Sequence, residues 1–115
     1  MIYSNLGSYS QEELERLILG VILNAVKLSS VQKLRPEHFE DTRNQAILEI
    51  ILHLEETKQE IDEVMIAKVL EQRGIRQEGV HYLEQLKTYK MNGGSFEKLV
   101  DLLRERYLKR RMGLC

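Results

Sequence analysis

Residues 10–25 read Ser10-Gln11-Glu12-Glu13-Leu14-Glu15-Arg16-Leu17-Ile18-Leu19-Gly20-Val21-Ile22-Leu23-Asn24-Ala25, and this stretch decides the fold class. Leu14, Leu17, Ile18, Val21, Ile22 and Ala25 recur at intervals of three and four, the period of one face of an α-helix. Ser10 and Glu13 stand in the spacing of a capping box, in which each side chain satisfies the other's free backbone amide. Gly20 inside the helix costs about 1 kcal/mol of propensity relative to alanine, a cost that close approach of another backbone would offset.

Working outward, the same period returns in every segment long enough to show it. Pro36 reads as the first residue of a short turn or helical start, followed by Glu37 and the core anchor Phe39. From Thr42 to Glu56, Ala46, Ile47, Ile50, Ile51 and Leu54 form one face, which Leu48 and Leu52 widen. Asp62 is placed to cap a third helix carrying Ile66, Val69 and Leu70, and Gly74 to end it in a left-handed conformation. Tyr82, Leu83 and Leu86 mark a fourth helix after Gly79. Asn92, Gly93 and Gly94 then read as a hinge or loop, and Ser95 is placed to cap a last helix with the stripe Phe96, Leu99, Val100, Leu103 and Tyr107. Nowhere does strand alternation appear. The expected fold is therefore all-α, a compact orthogonal helical bundle with a C-terminal helical hairpin. Its divisions are a flexible N-terminal arm (1–9), a helical head (10–90), a hairpin loop with the terminal amphipathic helix (91–112) and a tail (113–115).

Composition narrows the function classes. The 115 residues suit one domain, and 43% hydrophobic with 30% charged residues is the balance of a globular chain. The longest apolar run, Leu17 to Leu23, is far short of the roughly 20 residues a membrane helix needs, and no secretory signal is visible, so the cytoplasm is the expected compartment. Cys115 is the lone cysteine, which removes internal disulfides and cysteine-based metal sites. Net charge is −1 but uneven: residues 1–57 carry five basic and nine acidic side chains, residues 96–115 six and three. Near-neutrality argues against a dedicated nucleic-acid binder.

No catalytic constellation can be assembled. His38, His53 and His81 lack metal-ligand spacing and read as surface or structural, and no cofactor is expected. Gly93-Gly94 lacks the Lys-Ser or Lys-Thr of a phosphate loop. The cluster Arg104, Arg106, Lys109, Arg110 and Arg111 is either a solvated helix end favoured by the macrodipole or a phosphate contact. Glu12 and Glu15 are candidates for a polar rim around a partner, and the stripe Phe96, Leu99, Val100, Leu103 and Tyr107 for a self-association face.

The order of these segments resembles the N-terminal domain of the bacterial hexameric replicative DNA helicases. Leu14-Glu15-Arg16-Leu17-Ile18-Leu19-Gly20 is similar to that family's Ala-Glu-x-x-Val-Leu-Gly opening, and Leu34-Arg35-Pro36-Glu37-His38-Phe39 to its Leu-x-Pro-x-x-Phe. Ala46-Ile47 stands where its Ile-Phe helix start falls. Gly79 to Leu86 resembles Gly-x-x-Tyr-Leu-x-x-Leu, and Leu103 to Met112 the closing helix with paired arginines. Asn44, Glu60, Met65, Ser95 and Leu99 depart from residues common there, as in a divergent member. The resemblance spans residues 11–112 and implies a helical head with a hairpin that pairs subunits into a collar, often a trimer of dimers. It further implies a dimer or higher oligomer, primase or a helicase loader as partner, DNA contacted mainly through the full-length helicase, and no membrane. The ATPase domain that normally follows is missing, so the chain is expected to lack ATPase and unwinding activity, whether as a fragment or as a detached relative. Two alternatives are a stand-alone helicase-modulating protein and a direct nucleic-acid binder.

Overall fold

In the computed structural model, residues 9–24, 29–74, 79–88 and 96–113 are described. The capping box at the start of the first helix forms: the Ser10 amide donates to Glu13 Oε1 and the Glu13 amide to Ser10 Oγ, both at 3.1 Å. These bonds hold the Glu13 carboxyl below its usual range. Helix α1 follows as Gln11–Asn24. Ala25, the hinge at 92–94 and the Ser95 cap lie outside the described residues.

Two short 3-10 turns, Ser29–Lys33 and Pro36–His38, lead to α2, Thr42–Glu56. Asp41 caps α2 by accepting the Arg43 amide at 2.8 Å. Helix α3, Glu63–Gln72, starts at Asp62, whose carboxylate accepts the Val64 amide at 2.9 Å. Gly74, at φ +82°, ends it in the left-handed region where a side chain would be strained. Helices α4, Gly79–Leu86, and α5, Phe96–Arg111, complete the chain, with no strand among the described residues.

One hydrophobic cluster joins all five helices, the first 3-10 turn and the residues Leu34 and Phe39 that flank the second, with Ile18, Leu19, Ile47, Leu48, Ile51, Ile66, Leu83 and Leu103 fully enclosed. Leu19 extends the α1 face beyond its sequence stripe, so α1 is wrapped on several sides by α2, α4 and α5. Helix α3 packs on α2 and α4. Helix α5 lies against α1 and the two 3-10 turns, and makes no comparable contact with α4 before it. The bundle is thus all-α as expected, and the terminal helix packs on elements from early in the chain.

The caps should be separable from the core. Asp62→Ala removes the acceptor for an α3 amide without touching buried apolar surface and should cost about 1 kcal/mol in urea unfolding. An unchanged midpoint would show that α3 does not rely on that cap.

Candidate protein-interaction surfaces

Each sequence candidate can be followed from its helix to its surroundings. The terminal-helix stripe is already occupied. Phe96, Leu99, Val100 and Leu103 are buried within their own chain, so they are not an open face for pairing subunits. The physical reason is that α1 and the turns offer enough apolar surface to cover them in cis, at about 1.5–3 kcal/mol for each fully buried side chain. Tyr107 is half-buried, its ring 5.0 Å from that of His38 at 59°.

The acidic rim splits in two. Glu12 stays on the surface in an ion pair with Arg16 one turn on. Glu15 is 1% exposed and cannot serve as a rim. Its Oε2 accepts the Glu40 amide at 2.7 Å and Gln11 Nε2 at 2.9 Å, and its Oε1 accepts Asn44 Nδ2 at 2.8 Å and the Asp41 amide at 3.3 Å. Asn44, fully enclosed, accepts in turn the Tyr82 hydroxyl at 2.5 Å. Burial pushes the Tyr82 phenol up, against the pull of Arg43, whose guanidinium lies 4.2 Å from its ring centre. The sequence did contain a signal for this: Glu15 precedes Leu19 by four and Ile22 by seven, which puts it on a buried face.

The basic cluster also divides. Arg106 Nη2 donates to the Tyr9 carbonyl at 2.7 Å, and Arg110 Nη2 to the His38 carbonyl at 3.2 Å, with Glu40 3.7 Å from its other nitrogen. These two arginines tie α5 to the chain entering α1 and to the second 3-10 turn. Arg104, Lys109 and Arg111 are exposed, Lys109 with Glu105 at 3.1 Å and Arg111 with the Tyr107 hydroxyl at 3.4 Å. Gln11, Arg106, Lys109 and Arg110 line a shallow open depression. Among the described residues no group of three His, Cys, Asp or Glu side chains could hold a metal, and no helix is long and apolar enough to cross a membrane.

Among the described residues, the large apolar side chains left in solvent are Val64 and Met65 at the start of α3 and Leu108 and Met112 near the end of α5. Neither pair was singled out by the helical period, since both stand off the buried stripes.

Residues 8–105 match the DnaB-like helicase N-terminal domain family, which takes in every described helix up to the second half of α5. The chain belongs to that family. This places the domain in the setting of replicative DNA helicases, and the matched region is the family's N-terminal domain, not its ATPase. No curated relative and no solved structure matches the chain. Within the family domain, Glu15 and Tyr82, from two separate resembling segments, meet through Asn44 in one buried network.

Two measurements test this geometry. Glu15→Ala leaves the Glu40 and Asp41 amides and the Asn44 side chain without their acceptor, and should cost roughly 3 kcal/mol or more in chemical unfolding. A loss below about 1 kcal/mol would mean that water replaces the carboxylate freely. His38 supplies a pH dependence. It is buried, its Nδ1 accepts the Arg35 amide at 3.1 Å, and its pKa is lowered from 6.5 by burial first and then by Arg104, Arg35 and Arg110, against Glu37. The unfolded chain therefore binds the proton more readily than the fold. The His38 contribution is fully present above pH 6.5, declines as pH falls below it and levels off below the lowered folded value. His38→Gln should flatten that part of a stability–pH profile, and an unchanged profile would refute the assignment.

Proposed function

We propose that this domain is a protein-interaction and oligomerisation module of a replicative helicase assembly in the cytoplasm, receiving primase or a helicase loader. DNA is engaged mainly by the ATP-driven part of the full-length helicase. The observation that carries the reading is the family match over residues 8–105. It is supported by a closed core whose described surface presents apolar and charged side chains but no cluster of metal-ligating groups. Such a surface suits macromolecular contact, where apolar anchors inside a polar rim supply most of the affinity.

Glu12 is the rim residue that remains accessible, and the exposed cations Arg104, Lys109 and Arg111 are the groups left for an acidic partner or phosphate. A second reading, direct nucleic-acid binding, draws on those three cations. Arg106 and Arg110 contribute little to it, because their guanidinium groups already serve backbone carbonyls of the same chain.

Binding of the immobilised chain to the primase and the helicase loader of the same bacterium separates these readings. One of the two proteins should bind, and Glu12→Lys should change the association rate and its salt dependence while leaving helicity intact. Single-stranded DNA should bind weakly, with a log–log salt slope no steeper than about −2, the value for three released counterions. Absence of binding to both proteins, together with tight DNA binding on a steeper slope, would replace the first reading by the second.

A further inference from the structure

Helix α5 is held in two different ways along its length. Phe96, Leu99, Val100 and Leu103 anchor its first half in the core. Past Leu103 no side chain of the helix is buried: Arg106, Tyr107 and Arg110 are half-buried and the others are exposed. This second half is docked by polar and ring contacts. Arg106 Nη2 donates to the Tyr9 carbonyl at 2.7 Å, Arg110 Nη2 donates to the His38 carbonyl at 3.2 Å, and the Tyr107 ring lies 5.0 Å from that of His38. Two of these three contacts end on one residue of the second 3-10 turn.

His38 fits that place as a neutral ring. Its Nδ1 accepts the Arg35 amide at 3.1 Å, which leaves the single ring proton on Nε2. A second proton, on Nδ1, would set two donors against each other. It would also create a buried cation among Arg35 from the approach to the turn and Arg104 and Arg110 from α5, with Glu37 as the opposing anion. The nearby carboxylates have other partners. Glu40 lies 3.7 Å from Arg110, and at the start of α2, the other helix on this turn, Asp41 and Arg43 form their own pair at 3.4 Å. An imidazolium relieves both conflicts by turning outward, which withdraws the ring from Tyr107 and shifts the peptide that Arg110 binds.

We propose that His38 latches the second half of α5: the neutral ring docks the helix end on the second 3-10 turn, and protonation releases residues 104–112 while the first half stays in the core. With the two His38 contacts gone, the remaining ties are the Arg106 bond to Tyr9 and the partly exposed pair of Arg110 with Glu40, each worth little on its own. A helix end of this length frays without packing. Five basic side chains against one acidic in residues 104–112 also repel an imidazolium beneath them. Because burial and the three arginines hold the His38 pKa below 6.5, the latch is closed at neutral pH and opens as pH falls below that value.

Hydrogen exchange of the full chain, read residue by residue by NMR and corrected for the intrinsic rate at each pH, tests the latch. From about pH 7.5 to about pH 5, protection of the 106–111 amides should fall about tenfold or more, while that of residues 100–103, α2 and α4 changes far less. The midpoint should coincide with the titration of the His38 ring, followed in the same samples, and not with that of His53 or His81. His38→Gln offers the Arg35 amide a neutral acceptor that cannot gain the proton, so it should keep the helix end closed at both pH values, with circular dichroism checking that the domain folds. Equal protection of 106–111 at the two pH values, a midpoint away from the His38 titration, or an undiminished pH response in folded His38→Gln would each overturn the latch. A loss shared equally with α2 and α4 would overturn it too, since His38 would then support the whole fold and not the helix end.

Discussion

The buried carboxylate of Glu15 is the constraint on which the arrangement depends. It sits on the inner side of α1 and accepts hydrogen bonds from two successive backbone amides, Glu40 and Asp41, at the entry to α2, and from Asn44 in the first turn of that helix. Asn44 carries the connection to Tyr82 on α4. One side chain therefore fixes the register of α1 against α2 and, through a second, against α4. Hydrophobic contact alone is poorly directional and would tolerate sliding of these helices. A carboxylate whose acceptor sites are filled by amides of fixed geometry would not, since displacement strands several buried donors at once.

That arrangement determines what α5 can do. With α1 and α2 locked, the two 3-10 turns between them present a fixed surface, and α5 lies across it and α1. Its inward face changes character along its length: Leu99, Val100 and Leu103 enter the core, and then Arg106 and Arg110, four residues apart, satisfy the carbonyls of Tyr9 and His38. The cations that read as a phosphate contact are thus partly the polar continuation of an apolar stripe. His38 completes the seam, with its ring against Tyr107, its Nδ1 on the Arg35 amide and its carbonyl on Arg110.

Local features were the most legible in the sequence. The Ser10–Glu13 box, the Asp62 cap, the bounds of α2 and the left-handed Gly74 all depend on residues within one turn of each other, so spacing alone carries them. Partnership was not legible. The period of Phe96, Leu99, Val100 and Leu103 shows that they need cover, and it is silent on whether that cover comes from the same chain or another. Glu15 was harder to read for a related reason: beside Glu12 and Glu13 it looks like one of several charges favouring a helix start, and its spacing to Leu19 and Ile22 is the one mark in the sequence that it turns inward. Its donors, the amides of residues 40 and 41, leave no mark on side-chain pattern at all.

The resemblance to the helicase domain takes on a physical meaning in this light. Its segments are scattered along the chain, yet Glu15, the peptide groups that follow Phe39, and Tyr82 all converge on one buried network. These parts of the motif build the scaffold. Outside that scaffold, the start of α3 and the end of α5 carry exposed apolar side chains in stretches of opposite charge. A net charge of −1 supplies little long-range attraction of its own, but its separation into an acidic stretch at 55–65 and a basic stretch at 104–112 creates local fields of opposite sign. Where charge is placed on this surface depends in turn on the buried carboxylate that holds the helices in register.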